Sequence, residues 1–273
     1  MNPARSAFPY SHSMGAFALT ALLVLAATTA ARSATSLVDD QFLDGGVTNG
    51  TDASDAAWTS LSNTSLTVGA FNSTGNTSDA LRVDSTATFS GTRGAFTNAS
   101  ALAIGEAITV SLDFRITNTP GNNNAGLRFG LSSSSNTYAF TFGTGTTAGA
   151  GIAQFGTNTV GGTNTIYTAS GSSFAINDTA SHTFSFTLTR TSATSLSFLG
   201  IVDSNSVSAV TSNSISNFTF TSIVLGQGGT TNDFNIDNVI VTQGAIPEPS
   251  TYAVFAGLAV LGLVAFKRTR AVR

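Results

Sequence analysis

The carboxyl groups in the central part of this chain are poorly placed for hydrolysis. Glycoside hydrolysis requires two carboxyl groups about 5–10 Å apart. Glu106 is the only glutamate between residues 35 and 245. Asp113 occupies the polar side of an alternating segment, where we expect it to pair with Arg115 or Arg128 rather than act as a catalytic acid. The acidic residues therefore argue against a glycosidase.

His182 is the other residue with catalytic potential. His12 is the only other histidine, and the chain has no cysteine, which excludes a thiol nucleophile, disulfides and a cysteine-ligated zinc site. No Gly-x-Ser-x-Gly turn supports a Ser-His-Asp triad. We expect His182 to begin a strand, on the same side as Phe184, and we interpret the protein as a non-enzyme.

Carbohydrate recognition commonly uses an aromatic ring with an apolar body and a polar edge. Trp58, Tyr138 and Tyr167 are the candidates, and we take Trp58 as the first choice for stacking on a sugar. The alternative is that Trp58 fills the core near the first strand. Most of the 20 phenylalanines belong to alternating segments and are expected inside.

The charge of the central part excludes one class of partner. Residues 35–245 contain five arginines, no lysine and 13 acidic residues, a net charge near −8. Nucleic-acid-binding domains carry a basic patch or stripe. We therefore expect no nucleic-acid partner.

The elements that carry these residues alternate between apolar and polar positions. Ile108–Ile116 and His182–Arg190 are the clearest examples, and such a period of two predicts strands with one buried face. The same pattern occurs at 127–131, 138–142 and 218–220, and weaker alternation predicts strands at 65–71, 80–84, 152–155, 165–168, 196–202 and 234–241. Eleven or more strands joined by Gly, Asn and Ser turns predict an all-β antiparallel sandwich. We assign residues 35–245 to this single domain.

Both ends of the chain are apolar. Residues 1–34 have the charge and apolar pattern of a secretory signal peptide, with cleavage expected after Ala31; cleavage after Ala34 and a retained anchor are the alternatives. Residues 251–266 carry no charge and lie near the lower limit of about 17 residues for a transmembrane helix. Basic residues follow the apolar run: Lys267, Arg268 and Arg270, and then Arg273 at the end of the chain. Such a cluster orients a membrane helix with its basic end in the cytoplasm.

The tail, residues 246–273, joins three parts in order: Pro247-Glu248-Pro249, the apolar helix and the basic cluster. This arrangement resembles the PEP-CTERM sorting signal of bacterial exported proteins. The resemblance implies passage through the export machinery, an inner-membrane intermediate with the body outside the cytoplasm, and processing near the motif by an exosortase. It also implies delivery to the cell surface or to an extracellular matrix rich in exopolysaccharide.

The body resembles concanavalin A-like or laminin G-like jelly rolls, on the residues Val38–Phe42, Trp58, Gly126–Leu131 and Phe234–Val239. Galactose-binding-like jelly rolls share the opening and closing motifs. The resemblance implies that the first and last strands are neighbours. It also implies a structural calcium site there, with Asp39 or Asp40 and Asp237 as ligands; the alternative is that these are solvated aspartates in turns.

These observations predict an exported, non-enzymatic β-sandwich of the surface or matrix that interacts with polysaccharide. A carbohydrate-active enzyme related to glycoside hydrolases is one alternative. The paired acids that concanavalin-like glycosidases carry on one strand, spaced Glu-x-x-x-Glu or Glu-x-Asp-x-x-Glu, are missing from this sequence. A structural or adhesive matrix protein without a ligand is the other alternative.

Overall fold

A computed structural model of the chain describes residues 34–47, 54–70, 79–87, 90–161, 165–167, 169–171, 173–211, 214–228 and 232–245. These residues belong to one compact unit, Ser33–Ile246. The predicted sorting tail, and the predicted signal peptide apart from Ala34, lie outside the described residues. Within the described ranges, no helix has the length and apolar character needed to cross a bilayer.

The described ranges form strands arranged in two sheets. The strands are β1 (Thr35–Asp40), β2 (Ala57–Ser62), β3 (Thr64–Gly69), β4 (Ala80–Ser85), β5 (Gly91–Ala95), β6 (Glu106–Ile116), β7 (Asn123–Ser133), β8 (Asn136–Thr144), β9 (Ala150–Gly156), β10 (Thr165–Tyr167), β11 (Ala169–Gly171), β12 (Ala175–Ile176), β13 (His182–Arg190), β14 (Leu196–Val202), β15 (Asn205–Val210), β16 (Phe220–Gln227) and β17 (Phe234–Ala245).

Sheet A has the order β11-β15-β14-β13-β6-β17-β4-β3, and β1 also pairs with β17. Sheet B has the order β10-β9-β8-β7-β16-β5-β2, and β12 pairs with β8. The pairs are antiparallel except for β12 with β8. The two sheets pack face to face, which confirms the predicted all-β sandwich.

The main core lies between the sheets and consists of the inward residues of each alternating strand. In β6, Val110, Phe114 and Ile116 are fully buried, whereas the alternate residues Ser111, Asp113 and Arg115 are partly exposed. Phe129 of sheet B lies edge-on to Phe114, with ring centroids 5.3 Å apart. Because burial of one such side chain contributes about 1.5–3 kcal/mol, this aromatic core can hold a sandwich that has no disulfide.

The predicted strands at His182–Arg190 and Leu196–Val202 have those bounds in the structure, whereas β5 was not predicted. The sequence of β5, Gly-Thr-Arg-Gly-Ala, has no apolar alternation. Its Gly94 faces the core, where an added Cβ would lie 2.9 Å from the ring of Trp58. β5 therefore supplies space for the large Trp58 side chain of β2. Because β5 contributes a glycine rather than an apolar side chain at this position, apolar alternation does not predict it.

The first and last strands are neighbours, as the jelly-roll resemblance implied. Strand β1 pairs antiparallel with β17, and Thr35 lies opposite Gln243. The two ends of the described body therefore leave the sandwich side by side.

The outer faces of the two sheets differ. The outside of sheet B is covered by a second apolar cluster in which Val160, from the loop after β9, packs on Ala139 and Phe155. The outside of sheet A is lined by partly exposed serine and threonine residues of β6 and β13. Sheet A thus offers the more accessible broad surface of the described body.

Candidate functional site

A depression of about 340 Å³ lies on the outer face of sheet A. It is formed where β6, β13, β14 and β17 run side by side. The residues that line the depression are Ser111, Leu112, Asp113, Thr183, Phe184, Ser185, Ile201, Asn238 and Ile240. Asp113 is the only charged side chain among them.

A bulge in β17 places Asn238 beside Asp113. The pairing of β17 with β6 shifts register between Asp237 and Ile240, and Asn238 has a positive φ of 51°. The Asn238 backbone N–H donates to Asp237 Oδ1 at 2.7 Å, and its side-chain Nδ2 donates to Asp113 Oδ2 at 2.7 Å. Asparagine tolerates this left-handed backbone better than most residues. The bulge thus builds an amide–carboxylate pair at the floor of the depression.

The predicted pairing of Asp113 with Arg115 or Arg128 is wrong. Arg115 Nε donates to the backbone oxygen of Thr179 at 2.5 Å. Arg128 lies on β7 of the other sheet, where it donates to the backbone oxygen of Val160 at 2.6 Å. Arg128 and Asp113 are therefore on different sheets. The assignment of strands to sheets cannot be read from the sequence.

Asp113 and Asp237 are register partners on adjacent strands. Directly opposite residues have Cβ atoms about 4.5–5.5 Å apart, so this is a carboxylate pair that sequence spacing did not reveal. Asp237 is fully buried and does not line the depression, whereas Asp113 does. The surface of the depression therefore presents one carboxylate.

A second depression, of about 590 Å³, lies on the same face. Its lining is Ser170, Ser197, Phe198, Leu199, Ser208, Ala209 and Val210. Leu199 borders this depression and Ile201 borders the first. Residues two apart on a strand share a face and lie about 7 Å from each other. The two depressions are therefore neighbours on this face, one on each side of β14. Together they make a surface of hydroxyl and aliphatic groups.

His182 bridges two aspartates at one end of sheet A. Its Nδ1 lies 2.9 Å from Asp203 Oδ2, and its Nε2 lies 3.0 Å from Asp178 Oδ1. The backbone N–H of Ala180 and the His182 ring together lower the pKa of the Asp178 carboxyl. Since both ring nitrogens face carboxylates, neither is directed at a serine, and the geometry is that of a link between the loop before β13 and the turn after β14.

Trp58 is buried, so the prediction that it stacks on a sugar is wrong. Its exposed fraction is 2%, and its indole Nε1 donates to Asp40 Oδ2 at 2.8 Å. The backbone N–H groups of Phe42 and Ala56 donate to the same carboxylate, at 3.1 and 3.2 Å. Burial raises the pKa of Asp40. Trp58 is therefore the core residue of the alternative interpretation, fastened to β1 through Asp40.

The other two aromatic candidates are also interior residues. Tyr138 and Tyr167 are each 1% exposed, and burial raises the pKa of both phenols. Tyr167 donates its hydroxyl to Gln154 Oε1. None of the three predicted aromatic residues is available to a sugar ring.

The structure does not gather the predicted calcium ligands into one site. Asp39 is exposed and borders a depression of about 330 Å³ together with Asp44 and Asp55. Asp40 accepts three N–H groups, and Asp237 is buried on sheet A. Among the described residues, no three or more Asp, Glu, His or Cys side chains are grouped so that they could hold a metal ion.

No protein-family model matches this chain, and no curated protein matches its sequence. Several solved structures resemble it at a low level. A carbohydrate esterase from a Shiga toxin-encoding bacteriophage is 16% identical, with a TM-score of 0.49, covering 78% of this chain and 100% of that one. Domain 4 of an extracellular arabinanase from Geobacillus stearothermophilus is 12% identical, with a TM-score of 0.49 and coverage of 81% and 97%.

A xylan-binding domain from Paenibacillus barcinonensis is 10% identical, with a TM-score of 0.40, covering 80% of this chain and 100% of that one. Similarity at these levels does not identify a ligand or an activity for this chain.

Proposed function

We propose that this protein is an exported, non-enzymatic β-sandwich that binds polysaccharide on the outer face of sheet A. The observation that carries the proposal is the depression around Asp113 and Asn238. It combines hydrogen-bonding groups with aliphatic surface on the more accessible face of the body. Sugars present both hydroxyls and apolar C–H faces, so a surface of this composition suits them.

The polar groups of the depression are available to a ligand. Asn238 occupies one oxygen of Asp113, which leaves Oδ1 as an acceptor. Within the described part of the chain, the hydroxyls of Ser111 and Ser185 have no internal hydrogen bond. Ile201 and Ile240 border these groups. A glycan could therefore bind by hydrogen bonds and aliphatic contacts, without an aromatic platform.

The sorting of the protein is the second part of the proposal. Its support is the ordered tail of Pro247-Glu248-Pro249, the apolar run 251–266 and the basic cluster. We propose that the export machinery and an exosortase process the two ends, and that the body, a jelly roll, reaches the surface or the extracellular matrix. Mass spectrometry of the surface fraction should find a protein that lacks residues 251–273; the intact tail there would contradict this.

Titration of residues 33–246 with a panel of neutral and acidic polysaccharides tests the binding surface. The described residues of both apolar clusters all lie within this unit. A hydrogen bond to a charged group is worth about 1.5–3 kcal/mol, so we expect D113A to weaken binding by about 10- to 100-fold. Thr242→Ala, on the same face of β17 but outside both depressions, is the matched control.

The outcomes separate the alternatives. Binding that D113A and N238A weaken, while T242A does not, supports the proposal. Equal binding by all variants would overturn the site, and no binding to any polysaccharide would leave a structural or adhesive matrix protein. Release of reducing ends during the titration would instead indicate a carbohydrate-active enzyme.

A further inference from the structure

Strand β3 forms an open edge of sheet A. It pairs on one side with β4 over all six residues, without a register shift. Within the described part of the chain, the backbone of Ser65–Gly69 has no hydrogen bond apart from this ladder. An edge strand presents a row of N–H and C=O groups that can pair with another chain. β3 therefore offers a ready template for a further strand.

The other lateral edges are shorter or already occupied. At the edge of sheet B, the Trp58 N–H of β2 donates to the backbone oxygen of Val47 at 2.8 Å. The pairing of β2 with β5 also shifts register between Ser60 and Ser62. β10 and β11, at the opposite side, have three residues each. β1, which pairs only with β17 in sheet A, has a register shift between Ser36 and Val38 and donates its Asp39 N–H to the backbone oxygen of Ser54. Among the described strands, β3 is therefore the edge best suited to regular pairing.

The charges of the molecule indicate which partner can approach this edge. The central part carries a net charge near −8, so two copies repel one another over most of their surface. β3 itself, Thr-Ser-Leu-Thr-Val-Gly, has no charged residue. Beside it on β4, Arg82 and Asp84 neutralise each other in an ion pair of 2.6 Å. β3 is therefore a neutral strip at which a second acidic copy can approach.

We infer that β3 pairs antiparallel with β3 of a second copy of this chain, so that two A sheets become one continuous sheet. A strand paired antiparallel with its own copy satisfies two-fold symmetry, the commonest symmetry of protein dimers. Exposed Ser65 and Thr67 then remain on the outer face of both copies.

The inner side of β3 favours the same arrangement. Leu66 and Val68 pack on the main core but are only partly buried, because the sheet ends there. A second β3 brings its own Leu66 and Val68 to this position, and the four side chains extend the core across the interface. Burial of this apolar surface supplies association energy that backbone pairing alone does not.

Introducing a positive or a negative charge at position 67 tests the inference. Thr67 is exposed, and like charges on paired strands are destabilising. In sedimentation of residues 33–246 over a concentration series, the wild type should form a dimer. T67K and T67E should each raise the dimer Kd about fivefold, and their equimolar mixture should associate more tightly than either alone. S206K and S206E, exposed on β15 near the other edge, should leave the Kd unchanged.

The results are decisive in both directions. A wild type that stays monomeric at every concentration overturns the inference. So does a dimer that Thr67 and Ser206 substitutions affect equally, or a charge mixture that is no tighter than its components. Circular dichroism checks that each variant is folded. If the Thr67 variants fail this check, S65K and S65E make the same test from the neighbouring outward position.

Discussion

Replacement of Asp40 by asparagine isolates the contribution of the buried carboxylate that fastens Trp58 to β1. The two oxygens of Asp40 accept three N–H groups, from Phe42, Ala56 and the Trp58 indole. Asparagine keeps the shape but turns one acceptor into a donor, so at least one buried N–H faces another N–H. A buried donor left without a partner costs about 1–3 kcal/mol.

We expect D40N to lower the free energy of unfolding by about 1–3 kcal/mol. D40A leaves all three donors without their acceptor and should cost more than D40N, about 3 kcal/mol or more. Trp58 is the only tryptophan of the chain, so its fluorescence during urea unfolding reports on the residue concerned. Asp44→Asn is the control: Asp44 is exposed and accepts one backbone N–H, from Gly46, and should change stability by less than about 0.5 kcal/mol.

The pH dependence of D40N gives an independent check. Burial raises the pKa of Asp40 in the folded state above its ordinary value of 3.8. Between these two pKa values the folded state binds more protons than the unfolded state, so the contribution of Asp40 to stability falls as pH rises. Asparagine does not titrate. The deficit of D40N should therefore be largest at and below about pH 4 and decrease at higher pH. A D40N protein as stable as the wild type, or a D40A protein no worse than D40N, would refute the reasoning.

Three further predictions concern packing and charge elsewhere in the sandwich. In G200A the new Cβ would lie 2.5 Å from the ring of Phe140; we expect a loss of about 1–3 kcal/mol in urea unfolding, and coupling with F140L in a double-mutant cycle. The pKa of Asp178 is lowered, so its contribution to stability is lost as pH falls through the folded-state pKa. D178N should therefore flatten the melting temperature profile below about pH 4, and an unchanged profile would contradict this. R190K removes a guanidinium that lies 3.9 Å from the centroid of the Phe218 ring and should cost about 1 kcal/mol in thermal unfolding; no loss would show that the stacking is unimportant.

The sequence predicted most of the strands because burial imposes alternation on them. Strands β6 and β13 have apolar residues on one side throughout, and their class and bounds were close to those observed. Strand β15 was not predicted: it is built from asparagine, serine, alanine and valine, so its alternation is weak. Contacts that depend on sheet order and register could not be predicted from the sequence.

The candidate site illustrates that limit. Asp113 was predicted on the polar face of its strand and lies there. Its partner Asn238 is 125 residues away and reaches it only because a bulge interrupts β17. Trp58 could be identified as a large amphipathic residue, but its burial depends on Gly94 in a neighbouring strand. Pairings of this kind are properties of the assembled sheet.

The pairing of β1 with β17 has a mechanical consequence. The two strands run antiparallel, with Thr35 opposite Gln243. A force that pulls the two ends of the body apart therefore breaks the hydrogen bonds between β1 and β17 one after another. Strand β17 is also bonded along its length to β6. A force between the end of β17 and a ligand held on sheet A loads many of those bonds at once, in shear. The sandwich should therefore resist a pull between its C-terminal end and its outer face far better than a pull between its two ends.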